Sequence, residues 1–342
     1  MTEQADEVVV ITGASAGVGR ATALEFARRG ARIALLARDA QALEQVAADV
    51  RRAGGTPLVL PLDMADSAQV EAAAQRVEDQ WGRIDIWVNN AMVTVFAPFS
   101  AIEPAEFQRA TEVTYLGYVW GTMAALKRMR ERDAGSIMQV GSALAYRAIP
   151  LQSAYCGAKQ AIRGFTDSIR SELLHDHSRV HLCMVQMPAL NTPQFEWGRN
   201  KMPRQPQPVP PIFQPEVAAR AIVWAALHRR REVIVGGSSL RAIWANRWIP
   251  ALLDHYLARA GYRGQQSARP TPQEHRDNLW RPVSPLHRTH GRFDQCAHKH
   301  ALRWPMGRGW LAAGLAAAGV GLWWYGRRGH QPGSQINREN QR

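Results

Sequence analysis

The stretch "ITGASAGVGRA" (Ile11–Ala21) joins an apolar, β-branched run to a helical pattern, with glycines at Gly13, Gly17 and Gly19. The spacing reads T-G-x-x-x-G-x-G. Glycine suits a turn this tight because it accepts backbone angles that other residues avoid, and because a missing side chain lets a ligand approach the backbone. The helix that follows opens with N–H groups that have no intrahelical partner, so its N-terminus favours phosphate. A Gly-rich loop alone is weak evidence; one set between a first strand and a first helix marks a dinucleotide-binding α/β domain.

The rest of the first 235 residues repeats that rhythm. Strands are expected at 8–12, 32–37, 57–62, 84–89, 136–141, 181–187 and 232–236, with amphipathic segments such as "SAQVEAAAQRVEDQWG" between them. Near-continuous apolar strands separated by helices predict a parallel sheet covered on both faces. The expected fold class is α/β, a doubly wound Rossmann-type parallel sheet of about seven strands with a C-terminal basic extension and an apolar helix. The proline-rich stretch 188–215 follows the sixth strand, at the sheet end where such folds bind ligands, and reads as a substrate-covering loop.

Chemistry is suggested by "SAYCGAK" (153–159). Tyr155 and Lys159, at i and i+4, share one face of a helix expected over about 153–175. A tyrosine ordinarily titrates near 10, too high for acid–base work at neutral pH. An ammonium one turn away is expected to stabilise its phenolate and lower that value. Ser142, at the end of the fifth strand, is placed to hold a substrate oxygen by a hydrogen bond.

These motifs, in this order, resemble the classical short-chain dehydrogenase/reductases (the SDR family) over roughly residues 6–240. "TGASAGVG" resembles the family's cofactor loop, "NNA" (89–91) its fourth-strand motif, and "PALNT" (188–192) the stretch whose threonine contacts the nicotinamide amide. The resemblance implies a catalytic set of Ser142, Tyr155 and Lys159, with Lys159 also binding the nicotinamide ribose. It implies cofactor contacts from Gly13, Ser15, Gly17, Val18, Gly19, Asp63, Asn90, Tyr155 and Thr192, with Asp63 against the adenine. Where the family often has an asparagine that helps relay protons, "EVTYLG" has Thr114, a fourth catalytic candidate without the amide's geometry. Met92 and Ala189 stand where the family has glycines and are expected to shape the pocket.

Cofactor choice is read at the end of the second strand. An acidic residue there binds the ribose 2′-hydroxyl of NAD. "LLARD" instead has Ala37 followed by Arg38, which can pair with a 2′-phosphate, so NADP(H) is expected, with Asp39 one residue further on.

The formal charge of +13 invites a nucleic-acid reading. Residues 1–200, however, hold 20 Lys/Arg against 22 Asp/Glu, while 201–342 hold 22 against 7. The excess is confined to a tail with no recognition fold, so no nucleic-acid partner is expected. Three widely spaced cysteines imply no disulfide framework. The acidic start implies no cleaved signal peptide.

Five regions follow: 1–240, the catalytic domain; 241–261, an amphipathic helical extension; 262–308, a basic, Pro/His-rich and poorly structured connector; 309–326, a candidate membrane helix; 327–342, a polar tail. Trp244, Trp248, Leu252 and Tyr256 form a stripe expected to pack inward. His287, His290, Cys296, His298 and His300 match no standard zinc spacing, and no metal is expected. "GWLAAGLAAAGVGLWWYG" (309–326) is eighteen residues without a charge, flanked by arginines and edged by tryptophans, so the domain is expected in the cytoplasm but held at a membrane. With Phe195, Trp197 and Met202 in the covering loop, a lipophilic carbonyl or alcohol is the expected substrate. The family resemblance implies a homodimer or homotetramer. The alternative function is a membrane-anchored, non-catalytic dinucleotide-binding scaffold or sensor.

Overall fold

The computed structural model describes residues 6–306. Eight strands form one sheet: β1 (Val8–Thr12), β2 (Arg32–Ala37), β3 (Thr56–Pro61), β4 (Ile86–Asn89), β5 (Ser136–Ser142), β6 (His181–Met187), β7 (Glu232–Val235) and β8 (Arg303–Met306), in the order β8-β7-β6-β5-β4-β1-β2-β3. Every pairing from β7 to β3 is parallel. The strand order reverses between β1 and β4, which opens a crevice at their carboxyl ends.

Successive side chains of a strand point to opposite faces, and β1 shows the consequence. Val9 and Ile11 join the core beneath α1 (Gly17–Ala27), α2 (Ala40–Arg52) and α7 (Pro215–His228). Val8 and Val10 join the core beneath α3 (Ser67–Trp81), α5 (Gly117–Glu131) and α6 (Ser153–His175). All four are fully buried. Burial of each such side chain contributes about 1.5–3 kcal/mol, so both faces of this strand drive the fold.

Local signals set several boundaries. Asp39 caps α2 by accepting from Ala42 N (2.9 Å), and Asp66 caps α3 through the N–H groups of Ala68 and Gln69. Gly82 ends α3 in the left-handed conformation at φ +76. The fourth strand starts two residues later than expected, at Ile86, and the Asp85 carboxylate just before it accepts from Val8 N (2.9 Å). Between α4 (Pro104–Thr111) and α5, residues Glu112–Leu116 form a π-helical turn around Thr114.

Beyond Pro206 the structure departs from expectation. The segment 241–261 is not one helix: Pro250 separates α8 (Gly237–Trp248) from α9 (Pro250–Tyr256). The stripe expected to pack inward faces outward, with Trp248 72%, Leu252 63% and Tyr256 61% exposed. Alanines on the other face of α8 contact the cleft instead. The expected poorly structured connector is folded. Residues Gln266–Pro270 pair antiparallel with Arg204–Pro206, Leu279 is fully buried, and β8 closes the sheet edge next to β7. Periodicity missed this segment because scattered backbone hydrogen bonds anchor it. Among the described residues there is no group of three or more His, Cys, Asp or Glu able to hold a metal, and no helix long and apolar enough to cross a membrane. The candidate membrane helix at 309–326 and the polar tail lie outside the described residues.

Candidate active site

The carboxyl ends of β1, β2, β4, β5 and β6 open into one cleft of about 670 Å³. Its dinucleotide half is built on the loop after β1. Gly13 (φ +65) and Gly17 (φ +52) hold left-handed backbone, and a Cβ on Gly19 would lie 2.1 Å from the Gly13 carbonyl. Asn90 staples the end of β4 to this loop, its N–H donating to Thr12 Oγ1 (2.8 Å) and its Nδ2 to the carbonyls of Thr12 (2.9 Å) and Gly13 (3.3 Å). Ser15 and Val18 line the same wall, and Thr192 faces Gly17 across it.

Arg38 and Asp39 end the wall beyond β2. Arg38 donates to the carbonyls of Asn278 and Leu279, and burial pulls its guanidinium below the ordinary arginine range. Burial works to raise Asp39, but hydrogen bonds from Ser284 and the Ala42 N–H outweigh it and hold the carboxyl below its ordinary value. Asp63 pairs with Arg109, whose Nε also donates to the Leu279 carbonyl (3.2 Å). Arg109, and the packing of residues 278–288 against this wall, escaped the sequence reading, where His287 entered only as a metal-ligand candidate, since no local spacing connects residues so far apart.

The other half of the cleft brings Ser142, Tyr155 and Lys159 together. Ser142 ends β5 and accepts from Leu144 N (3.1 Å). Burial pushes the Tyr155 phenol up to about 12, against a lowering hydrogen bond from Ser142. Lys159 is 2% exposed, with Nζ 5.6 Å from the Tyr155 ring centroid, and burial pulls it down to about 7. This corrects the expected lowering of Tyr155 by Lys159. In the cleft as it stands, lost solvation of each charged form outweighs their mutual stabilisation. Cys156, given no role, is buried with its thiol raised to about 11.

Thr114 is not placed as a relay group. Its hydroxyl donates to the Val93 carbonyl (2.8 Å) and accepts from Val93 N (3.0 Å), and the side chain does not line the cleft. The group beside Lys159 is instead Tyr118, one helical turn further on. Lys159 Nζ donates to Tyr118 OH (2.9 Å) and to the Val140 carbonyl (2.7 Å), and Tyr118 OH donates to Val140 O (3.0 Å). Nothing local distinguishes this tyrosine from its neighbour Tyr115 in "EVTYLGYVW". Tyr118→Phe is expected to leave Lys159 less well oriented, lowering kcat about tenfold with KM for the carbonyl little changed. An unchanged kcat would remove Tyr118 from the site's machinery.

The far end of the cleft is mostly apolar, lined by Leu144, Ile149, Val209, Leu253 and Leu257, with Arg147 and Arg241 as its charged groups. Phe195 and Trp197 of the proline-rich stretch 188–215 line the cleft, as do Met92 and Ala189, whereas Met202 is buried elsewhere.

A parallel sheet with its cleft at the switch in strand order, carrying Ser142, Tyr155 and Lys159, defines a dinucleotide-dependent oxidoreductase domain. The chain belongs to the short-chain dehydrogenase family, whose model, described as short chain dehydrogenase, matches residues 7–201. It is 32% identical to the uncharacterized oxidoreductase YxnA of Bacillus subtilis over 272 residues, covering 79% of this chain and 76% of that protein. It is 37% identical to human dehydrogenase/reductase SDR family member 7 over 175 residues, 50% of this chain and 52% of the human one. Among solved structures, it resembles an alcohol dehydrogenase from the archaeon Thermococcus sibiricus complexed with 5-hydroxy-NADP. That match has 26% identity and a TM-score of 0.58, over 67% of this chain and 95% of the other.

Proposed function

We propose that the protein is an NADP(H)-dependent oxidoreductase that interconverts a lipophilic carbonyl and its secondary alcohol, with Tyr155 as general acid/base. The observation that carries this reading is the buried Lys159 beside Tyr155 and Ser142, in a cleft whose other end holds Arg38. A bound nicotinamide dinucleotide supplies or accepts the hydride.

The chain's residues handle the proton. Ser142 holds the substrate oxygen, and Tyr155 gives that oxygen its phenol proton as the neighbouring carbon gains hydride. The carbonyl becomes an alcohol and a phenolate remains, which the Lys159 ammonium stabilises before solvent restores the proton. A phenol raised to about 12 carries its proton at neutral pH, so the proton that Tyr155 would hand to the substrate oxygen is in place. The apolar far end supports a lipophilic substrate.

Preference for NADP(H) rests on Arg38, with Ala37 in place of an acidic residue. Calorimetric titration of the protein is expected to give NADPH binding at least about tenfold tighter than NADH, a difference of about 1.4 kcal/mol. Arg38→Ala is expected to bring the ratio close to one. Because Arg38 also anchors residues 278–279, the ratio is the diagnostic quantity and not either affinity alone. Tighter binding of NADH would overturn the preference.

A further inference from the structure

Residues 278–291, part of the 262–308 stretch expected to be a poorly structured connector, cross the dinucleotide half of the cleft as a strap. Gly17 N, the first amide of α1, donates to the Arg288 carbonyl (3.0 Å), and Arg20 donates to the His287 carbonyl (3.1 Å). On the β2 side, Ser284 Oγ donates to Asp39 Oδ2 (2.6 Å) and Arg38 holds the carbonyls of Asn278 and Leu279. Arg288 is fixed by both carboxylate oxygens of Glu196 (2.6 and 2.7 Å). The strap therefore touches the phosphate-binding helix start and the residues after β2 at once.

One strap side chain enters the space so enclosed. His287 lines the cleft with its side chain only 7% exposed, packed on Trp197 with ring centroids 5.1 Å apart. Both ring nitrogens are buried without a hydrogen-bond partner. Nε2 lies 3.4 Å from Asp39 Oδ2, yet outside hydrogen-bond geometry. A buried imidazole with no hydrogen bond at either nitrogen, and only the Asp39 carboxylate near one of them, is costly unless something supplies a partner. Its position between Gly17 and Arg20 on one side and Arg38 on the other is that of a group meeting an anion.

We infer that His287 is a cofactor-binding residue contributed by the strap, donating a hydrogen bond to a phosphate oxygen of the dinucleotide. The inference rests on the reading that this cleft takes NADP(H). The phosphate is either the 2′-phosphate beside Arg38 or the pyrophosphate beside Gly17 and Arg20. The strap then forms the outer wall of the cofactor site, with Arg288 O serving one α1 amide while other first-turn amides remain for the ligand.

Calorimetric titration of the full chain and its His287→Ala variant with NADPH and with NADH tests this. His287→Ala is expected to weaken NADPH binding about tenfold with the thermal midpoint unchanged, and His287→Gln, which keeps a donor, to stay within about threefold of wild type. Loss for NADPH alone assigns the 2′-phosphate; equal loss for both assigns the pyrophosphate. Ser284→Ala, which loosens the strap without removing the imidazole, is expected to cost less than His287→Ala. Wild-type affinity in His287→Ala would overturn the inference while leaving the cofactor reading intact. Equal losses in Ser284→Ala, His287→Gln and His287→Ala would overturn it in favour of strap closure alone. Failure of the wild-type chain to bind either dinucleotide would overturn both.

Discussion

Tyr155→Phe is expected to lower kcat by a factor on the order of 10²–10⁴, the usual contribution of a positioned general acid, while NADPH affinity stays near that of wild type. The ring remains to pack where Tyr155 is enclosed, and only the proton donor to the substrate oxygen is lost. The Ser142 hydroxyl is a poor replacement, because an aliphatic hydroxyl is a far weaker acid than a phenol and Ser142 already holds the carbonyl oxygen. Steady-state turnover together with calorimetric NADPH binding reads both quantities. Retained turnover would move the acid to another group; lost binding would mean that the phenol serves the cofactor site and not the chemistry.

Lys159→Met is expected to remove turnover to a similar extent, and its pH signature separates it from a general loss of structure. Burial lowers Lys159 from an ordinary 10.5 to about 7, so between those values the unfolded chain holds a proton that the folded chain lacks. Stability contributed by this site therefore rises as pH rises from about 7 toward 10.5, by an amount of order a few kcal/mol. Tyr155 acts in the opposite sense: raised from 10 to about 12, it keeps a proton that the unfolded chain loses, so its contribution falls as pH rises above 10. Denaturant unfolding across pH 6–9 is expected to show a rise in wild type that is reduced in Lys159→Met. A neutral-pH stability at least equal to wild type would follow, since the variant buries no ammonium. Parallel pH curves for the two proteins would contradict the burial of Lys159 as a source of strain.

How much of this was legible in the sequence depended on whether the cause was local. Strands β1, β2 and β6 occupy the expected residues because their apolar runs are bounded by turns, and the Gly-rich loop was legible because its spacing falls between a first strand and a first helix. Ser142, Tyr155 and Lys159 were legible because one strand end and one helix face bring them together. Thr114 was misjudged because a hydroxyl's partner depends on which backbone it meets, here that of Val93. The Trp248 and Tyr256 stripe has helical spacing, but periodicity does not say which face is covered, and Pro250 breaks the helix in its middle. The strap carries the least sequence signal. His287 reaches Asp39 from 248 positions along the chain, through carbonyl contacts that leave no pattern in side-chain type.

The most direct measurement uses NADPH carrying deuterium at the transferable nicotinamide position, incubated with the protein and a panel of lipophilic ketones, with products read by mass spectrometry. An enzyme of the kind proposed transfers the label to the carbinol carbon of an alcohol product, and Tyr155→Phe yields little of it. Tight NADPH binding with no labelled alcohol from any ketone in the panel would contradict the account and favour a dinucleotide-binding scaffold.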